Sequence, residues 1–187
     1  ACRLAKAGHD VTVLEKNDTV GGRCNVFKKK GFTFDTGPTL LMMIDALHEF
    51  YNEMGTSLEK ELPLIRIDPN YQIKFDDGKV VTYRTDRKAM CKELEEFEPG
   101  SSIRYEQYLR DACKDYNVAW KHFINRNYDG PKDLLHPTVL MQGMKMKAFG
   151  TLYNHISGVF KDKRLRQGFT FQSMYLGTSP YTSPAIY

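Results

Sequence analysis

Val11-Thr12-Val13-Leu14-Glu15, then Lys16-Asn17-Asp18-Thr19-Val20, then Gly21-Gly22-Arg23 is the stretch that decides how this chain reads. Its first four residues are almost wholly apolar, as a strand buried on both faces of a parallel sheet must be. Just upstream, Ala1, Leu4 and Ala5 share one helical face, and Gly8 follows as a C′ glycine would. Half a helix, a glycine, an apolar strand and a terminal acid make the second half of a βαβ nucleotide-binding unit. In such a unit a glycine-rich turn holds the pyrophosphate, and an acid about 20 residues later binds ribose hydroxyls. Glu15 stands where that acid belongs. The last fingerprint glycine would fall ahead of Ala1, so the expected unit is partial: its first strand and glycine turn are missing, and its core strand has an open edge. After Glu15, Gly21 and Gly22 let backbone N–H groups approach a phosphate closely, and Arg23 places a fixed cation beside it. A lone strand ending in Glu is most often a solvated strand end, and a lone Gly-Gly-Arg a surface turn. The two at this spacing are far more specific.

Working outward, Phe32-Thr33-Phe34-Asp35 alternates like a short strand, and Gly37-Pro38 breaks it. Residues 39–54 carry apolar side chains at helical spacing, closed by Gly55. Tyr71 to Phe75, Asp76-Asp77-Gly78 and Val80 to Tyr83 predict a β-hairpin, because Asp-Gly supplies the positive φ of a tight turn. Helices are predicted over 87–97, over 103–125 with Ser101 or Ser102 as cap, over 138–160 and over 162–174. The fold class expected is α/β: a partial dinucleotide-binding Rossmann-like domain over 1–66. It is joined to part of an α+β, helix-rich substrate domain over 67–187, with its hairpin at 71–83 and helices across 87–174.

Composition bounds the rest. In 187 residues, 41% are hydrophobic and 27% charged, which excludes a disordered tail, a collagen-like fibre, a disulfide scaffold and a polytopic membrane protein. The chain starts at Ala1 without Met and stops at Tyr187 in mid-pattern, and so reads as a piece of a longer protein. Of the net charge of +4, the excess is local: residues 131–187 hold seven Lys/Arg and two Asp. Such a basic, partly apolar segment suits anionic headgroups, or else is a solvated helix face. Cys2, Cys24, Cys91 and Cys113 are scattered, with no spacing that suits a metal, and their use fits a reducing compartment. Residues 167–187 lack charge but contain Gly168, Gly177, Pro180 and Pro184, so they are no membrane span. No nucleic-acid module is present.

The Glu15, Gly21-Gly22-Arg23 arrangement resembles the FAD-binding N-terminus of the amine-oxidase-like flavoprotein superfamily. Gly31-Phe32-Thr33-Phe34-Asp35-Thr36-Gly37-Pro38-Thr39 narrows this, being similar to the segment that follows the loop in carotenoid desaturases of the bacterial and fungal phytoene desaturase type. Leu165 to Gly177, with Ser179-Pro180-Tyr181 and Ser183 to Tyr187, is similar to the same family's mid-chain pattern. Between 56 and 160 the likeness lies mainly in layout and in Asn70-Tyr71 with the Asp76-Asp77-Gly78 turn.

That resemblance implies an FAD-dependent oxidoreductase acting on CH–CH bonds of a long polyene hydrocarbon such as phytoene, in carotenoid biosynthesis. Glu15, Lys16, Gly21, Gly22, Arg23, Gly37, Pro38 and Thr39 are its expected cofactor-binding residues. Hydride leaves for the flavin, a near-cation loses a proton, and the protein supplies orientation and a water-free channel. Met141, Met144, Met146, Phe149, Phe160, Phe169, Phe171, Met174 and Tyr175 suit such a channel, or plain core packing. Asp133 and His136, three apart, are candidate proton acceptors; alternatively Asp133 opens a helical turn and His136 is a solvated end. Because phytoene partitions into bilayers, the expected location is a peripheral, intracellular membrane face, reached through Lys145, Lys147, Lys161, Lys163, Arg164 and Arg166. Oxygen or a quinone would take the electrons, and no metal is expected. The alternatives are a related flavin oxidoreductase such as a retinol saturase or an amine oxidase, or a non-catalytic membrane-surface module.

Overall fold

The computed structural model describes residues 1–38, 41–134, 137, 141 and 150–185. The chain divides into two compact units, Ala1–Arg66 and Ile67–Tyr187.

In the first unit, α1 (Cys2–Lys6) is a short helix anchored to α2 (Ile44–Met54). Arg3 Nε donates to Glu53 Oε2 at 2.5 Å, its guanidinium lies over the Phe50 ring, and Lys6 reaches the Glu53 carbonyl. β1 (Val26–Lys29) and β2 (Phe32–Asp35) pair antiparallel, with Phe27 opposite Phe34 and Lys29 opposite Phe32. Lys30-Gly31 turns the chain, both residues at positive φ. α2 ends at Gly55, whose left-handed conformation lets its N–H reach the Asn52 carbonyl. A single turn, α3 (Leu58–Glu61), follows, and Leu58 is fully buried.

The expected parallel strand at Val11–Leu14 forms no ladder among the described residues. The run is not a strand, and Val13 is 69% and Leu14 91% exposed. A strand of the parallel kind is stable only with neighbours on its edges and helices on its faces, and among the described residues no strand lies beside this run.

The second unit holds a closed core. β3 (Tyr71–Lys74) and β4 (Val80–Tyr83) form the hairpin that the Asp-Gly turn predicts, with Gly78 at φ 80° and the Asp77 carboxylate accepting from the Lys79 N–H. Its register pairs Tyr71 with Tyr83 and Ile73 with Val81, so one face is aromatic and aliphatic. On that face pack α4 (Arg87–Phe97) through Met90 and Leu94, and α5 (Ser101–Ala119) through Tyr105. α5 runs into a π-helical turn at Trp120–Ile124, and α6 (Pro131–Leu134) follows. α7 (Leu152–Val159) adds Leu152, Ile156 and the adjoining Phe160; α8 (Lys163–Thr170) adds Leu165 and leads into a 3-10 segment, Phe171–Leu176. Each such fully buried side chain contributes about 2 kcal/mol of transfer free energy. Residues 150–153 and 180–185 are tied by Leu152 N–H to the Ser183 carbonyl and Ala185 N–H to the Gly150 carbonyl.

Caps explain where these helices start. Asp86 accepts from the Ala89 N–H, Thr151 from the Asn154 N–H, and Asp162 from the Arg164 and Leu165 N–H groups. α5 departs from expectation: neither Ser101 nor Ser102 caps it. Gly100 takes the N-cap place at φ 76°, and the Glu95 carboxylate accepts from the Gly100 and Ser102 N–H groups instead. A carboxylate on the preceding helix satisfies these donors with a full charge, which a hydroxyl cannot match. Of the predicted helix over 138–160, residues 138–140 and 142–149 lie outside the described residues; Gly150 and Thr151 are not helical, and α7 starts afresh at Leu152 with Thr151 as its cap.

Three carboxylates of this unit are held below their ordinary range. The Ser102 hydroxyl and the Ser102 and Gly100 amides lower Glu95, the Lys79 amide and then Arg164 lower Asp77, and the Arg164 guanidinium lowers Asp162. A folded-state pKa below the unfolded one contributes stability that is complete above the unfolded value of about 4 and is lost as pH falls through the folded value. The unit is therefore expected to weaken below about pH 4. Urea midpoints followed through Trp120 fluorescence at pH 6 and pH 3 measure this, and Glu95→Gln with Asp162→Asn is expected to shrink the difference between them.

Candidate functional site

The run 10–15, outside any helix or strand, delivers Glu15, exposed. Its Oε1 accepts from both the backbone N–H and the side-chain amide of Asn17, each at 2.9 Å, while Oε2 takes no bond among the described residues. Lys16 is exposed beside it. Residues 16–24 are a solvent-facing loop. Gly21 stands at φ 120° and Gly22 at φ 54°. A Cβ on Gly21 would sit 2.9 Å from the Cys24 carbonyl oxygen, which the turn bond from Cys24 N–H to Gly21 O brings close. Only glycine therefore makes this turn. Arg23 is exposed and pairs with no carboxylate among the described residues. Gly37 packs under the loop: a Cβ there would overlap the Arg23 carbonyl oxygen and lie 3.1 Å from Cys24 Cα. Pro38 is exposed, and Thr39 lies outside the described residues.

A nucleotide cofactor asks for an acceptor toward its ribose hydroxyls, free backbone donors with space for a phosphate, and a cation. Glu15 Oε2, the Gly21-Gly22 backbone and Arg23 supply these, so the residues present fit a dinucleotide such as FAD. One surface beside them escaped the sequence reading. The register of β1 and β2 puts Phe27, Phe32 and Phe34 on one hairpin face, each at least half exposed, with ring centroids 6.3–6.4 Å apart. β1 had no signal of its own, because Val-Phe-Lys-Lys does not alternate and Lys-Gly is not a usual hairpin turn pair.

The remaining candidates sit in the second unit. Asp133 Oδ2 accepts from the Asp129 and Gly130 N–H groups, at 2.9 and 3.2 Å, on an exposed turn. It is thus engaged as a local cap at the start of α6, and His136 lies outside the described residues. Phe160 and Phe169 stack at 4.5 Å, Phe160 fully buried in the core and Phe169 partly buried against it, as the core-packing alternative expects. Met174 and Tyr175 are exposed. Met144, Met146 and Phe149 fall outside the described residues. A groove of about 580 Å³ runs between the β3–β4 turn and α8. Its central cation, Arg164, bonds Asp77 at 2.8 Å and Asp162 at 2.5 Å and lies over the Phe97 ring. Arg166 likewise spends its guanidinium on the carbonyls of Phe160 and Lys161. Lys161 and Lys163 are exposed; Lys145 and Lys147 lie outside the described residues. Among the described residues no cluster of His, Cys, Asp or Glu could hold a metal ion, and no helix is long and apolar enough to cross a membrane.

Comparison with known proteins bears on the same segments. The whole chain is 44% identical to a zeta-carotene-forming phytoene desaturase of Myxococcus xanthus, of which it covers 36%. It is 38% identical to a phytoene desaturase of Cercospora nicotianae, covering 30% of it. It is 37% identical to a 4,4'-diapophytoene desaturase (4,4'-diaponeurosporene-forming) of Staphylococcus haemolyticus, covering 37%. The chain thus spans about a third of the length of these curated relatives. Residues 1–177 match the profile described as flavin containing amine oxidoreductase. With the match reaching from α1 through the Gly-Gly-Arg loop to the end of the 3-10 segment, the chain belongs to the flavin containing amine oxidoreductase family.

Proposed function

We propose that the protein to which this chain belongs is an FAD-dependent carotenoid desaturase, and that residues 1–66 carry part of its Rossmann-like cofactor domain. One observation carries the reading. The chain aligns end to end with three relatives named as phytoene or 4,4'-diapophytoene desaturases, and its Glu15 and Gly-Gly-Arg loop are exposed. FAD, when bound, supplies a two-electron acceptor for removal of hydrogen from adjacent carbons. The chain's own part is binding: Glu15 accepts from ribose hydroxyls, the Gly21-Gly22 amides face phosphate, and Arg23 balances its charge. Oxygen or a quinone then takes the electrons. Incubation of the whole protein with FAD and phytoene in liposomes tests the reading, with new conjugated-polyene absorbance as the expected product. Turnover of an amine or a retinoid in its place, without polyene product, would overturn it.

Glu15→Gln keeps an acceptor for Asn17 while removing the charge offered to the ribose. It is expected to weaken FAD binding by the whole protein about tenfold, which is ~1.4 kcal/mol. Flavin retained per protein after gel filtration is the measurement, and unchanged retention would remove Glu15 from the site.

The same reading calls for access to a substrate dissolved in lipid. We place the protein peripherally on an intracellular membrane, with Lys161 and Lys163 as the headgroup contacts, since Arg164 and Arg166 are committed to bonds within the fold. Lys161→Glu with Lys163→Glu is expected to reduce flotation of the whole protein with anionic vesicles severalfold. Equal flotation would refute this contact.

A further inference from the structure

Between Thr12 and Pro38 every residue is exposed except two, Asn25 and Gly37. They mark where this segment touches itself. Asn25 sits at the exit of the glycine loop and serves three partners. Its side-chain amide donates to Thr19 Oγ1 at 2.8 Å, across the neck of the loop. Its side-chain oxygen accepts from the Val26 N–H at 2.7 Å, fixing the start of β1. Its backbone carbonyl accepts from both the N–H and the hydroxyl of Thr36, at 2.9 and 2.8 Å, joining the loop exit to the end of β2. Gly37, next in sequence to Thr36, then lies against the Arg23 carbonyl so closely that a Cβ would overlap it. The loop's far side is closed by the Cys24 N–H to Gly21 carbonyl bond.

We propose that Asn25, Thr36 and Gly37 are positioning residues: they clasp the Gly21–Cys24 loop into one shape before any ligand arrives, and so set its backbone donors for a phosphate. This deepens the FAD reading and rests on it. The physical need is plain. A glycine pair has the largest conformational freedom of any dipeptide, and a phosphate that had to order it would bind more weakly by that entropy. The clasp ties down the residue on each side of the loop and leaves the glycines themselves exposed for the ligand. It also gives Gly37 a different task from contacting the cofactor. It acts through the Arg23 carbonyl, whose orientation fixes the peptide plane between Arg23 and Cys24.

The test uses the whole protein in two states. Freed of FAD, its Cys24 amide reports on loop closure through hydrogen exchange. With FAD added, flavin fluorescence gives the dissociation constant. Asn25→Leu preserves side-chain size and removes the two side-chain ties, to Thr19 and to the Val26 N–H, while leaving the backbone carbonyl that Thr36 uses; it is expected to speed Cys24 exchange at least tenfold and weaken FAD about tenfold. Thr36→Val is expected to act in the same direction more mildly, and Thr36→Ser to restore both values, since the hydroxyl and not the methyl makes the bond. Unchanged exchange in Asn25→Leu would overturn the clasp. Faster exchange with an unchanged FAD constant would overturn its role toward the phosphate. Should the unaltered protein fail to bind FAD, the cofactor reading fails with the phosphate role, while exchange still decides whether the clasp exists.

Discussion

Gly168→Ala is expected to cost the second unit about 3 kcal/mol, at the upper end of overpacking penalties. Gly168 lies buried on α8, and a Cβ there would overlap the Tyr83 hydroxyl and stand 2.7 Å from the ring carbon bearing it. Neither partner has room to yield. The Tyr83 ring stacks on Tyr71 at 4.7 Å and meets the edge of Phe169 at 5.5 Å. Leu165, one turn before Gly168, is fully buried and holds α8 in place. The intrinsic helix preference of alanine returns about 1 kcal/mol, too little to offset the overlap. The Tyr83 hydroxyl supplies an internal control, because it is buried without a hydrogen-bond partner among the described residues and burial pushes its pKa up. Tyr83→Phe removes an unsatisfied polar group and is expected to be neutral or to stabilise by about 1 kcal/mol. In the double variant the worst overlap is gone, so the two changes are expected to be strongly non-additive, with roughly half the loss recovered. Urea unfolding followed by Trp120 fluorescence, the chain's one tryptophan and a member of this unit, reads all three. A Gly168→Ala loss under about 0.5 kcal/mol would mean that the close approach is absent from the native state.

This pair shows where sequence reading stops. Asp76-Asp77-Gly78 predicts its hairpin because all the physics of a tight turn is held in adjacent residues. The helix over 87–97 is legible for the same reason, its apolar residues recurring at one spacing and Pro99-Gly100 ending it. Val11–Leu14 is different. Its composition states what environment it requires, not whether a neighbouring strand is there to supply it, and in the described structure none is. For the site, Glu15 and Gly21-Gly22-Arg23 are legible from spacing and family likeness. Asn25, Thr19 and Thr36 are not, since nothing in Asn25 or Thr36 alone says that they meet across eleven residues. Gly37 is legible as a motif member, but its place beneath the Arg23 carbonyl is set by a contact across fourteen residues that no local pattern shows. Gly168 reads only as a helix breaker until Tyr83 is placed beside it.

Glu98 is the sharpest case, because in the sequence it is merely the residue ahead of Pro99-Gly100 where a helix stops. In the structure its side chain is 11% exposed and bridges 63 residues. One carboxylate oxygen, Oε2, accepts from the N–H groups of Lys161 and Asp162 at 2.7 and 2.8 Å; the other pairs with Arg104. Arg104 continues the link through its Nε to the Val159 carbonyl at 2.7 Å. The α4–α5 corner therefore holds the α7–α8 corner through charged bonds, each worth about 1.5–3 kcal/mol. That corner carries Phe160, fully buried, and Asp162, which starts α8. Glu98→Ala leaves two backbone donors and a guanidinium short of an acceptor, and is expected to cost about 3 kcal/mol. Hydrogen exchange localises the effect: the Lys161 and Asp162 amides should lose protection by more than the global loss explains. Glu98→Gln keeps one oxygen for those amides but loses the charge and the Arg104 pairing, so about 1 kcal/mol is expected. If Ala and Gln proved equally costly, the Arg104 pairing rather than the two backbone bonds would be carrying the stability. The corner would then depend on charge, and its loss in Arg104→Met should match that of Glu98→Ala.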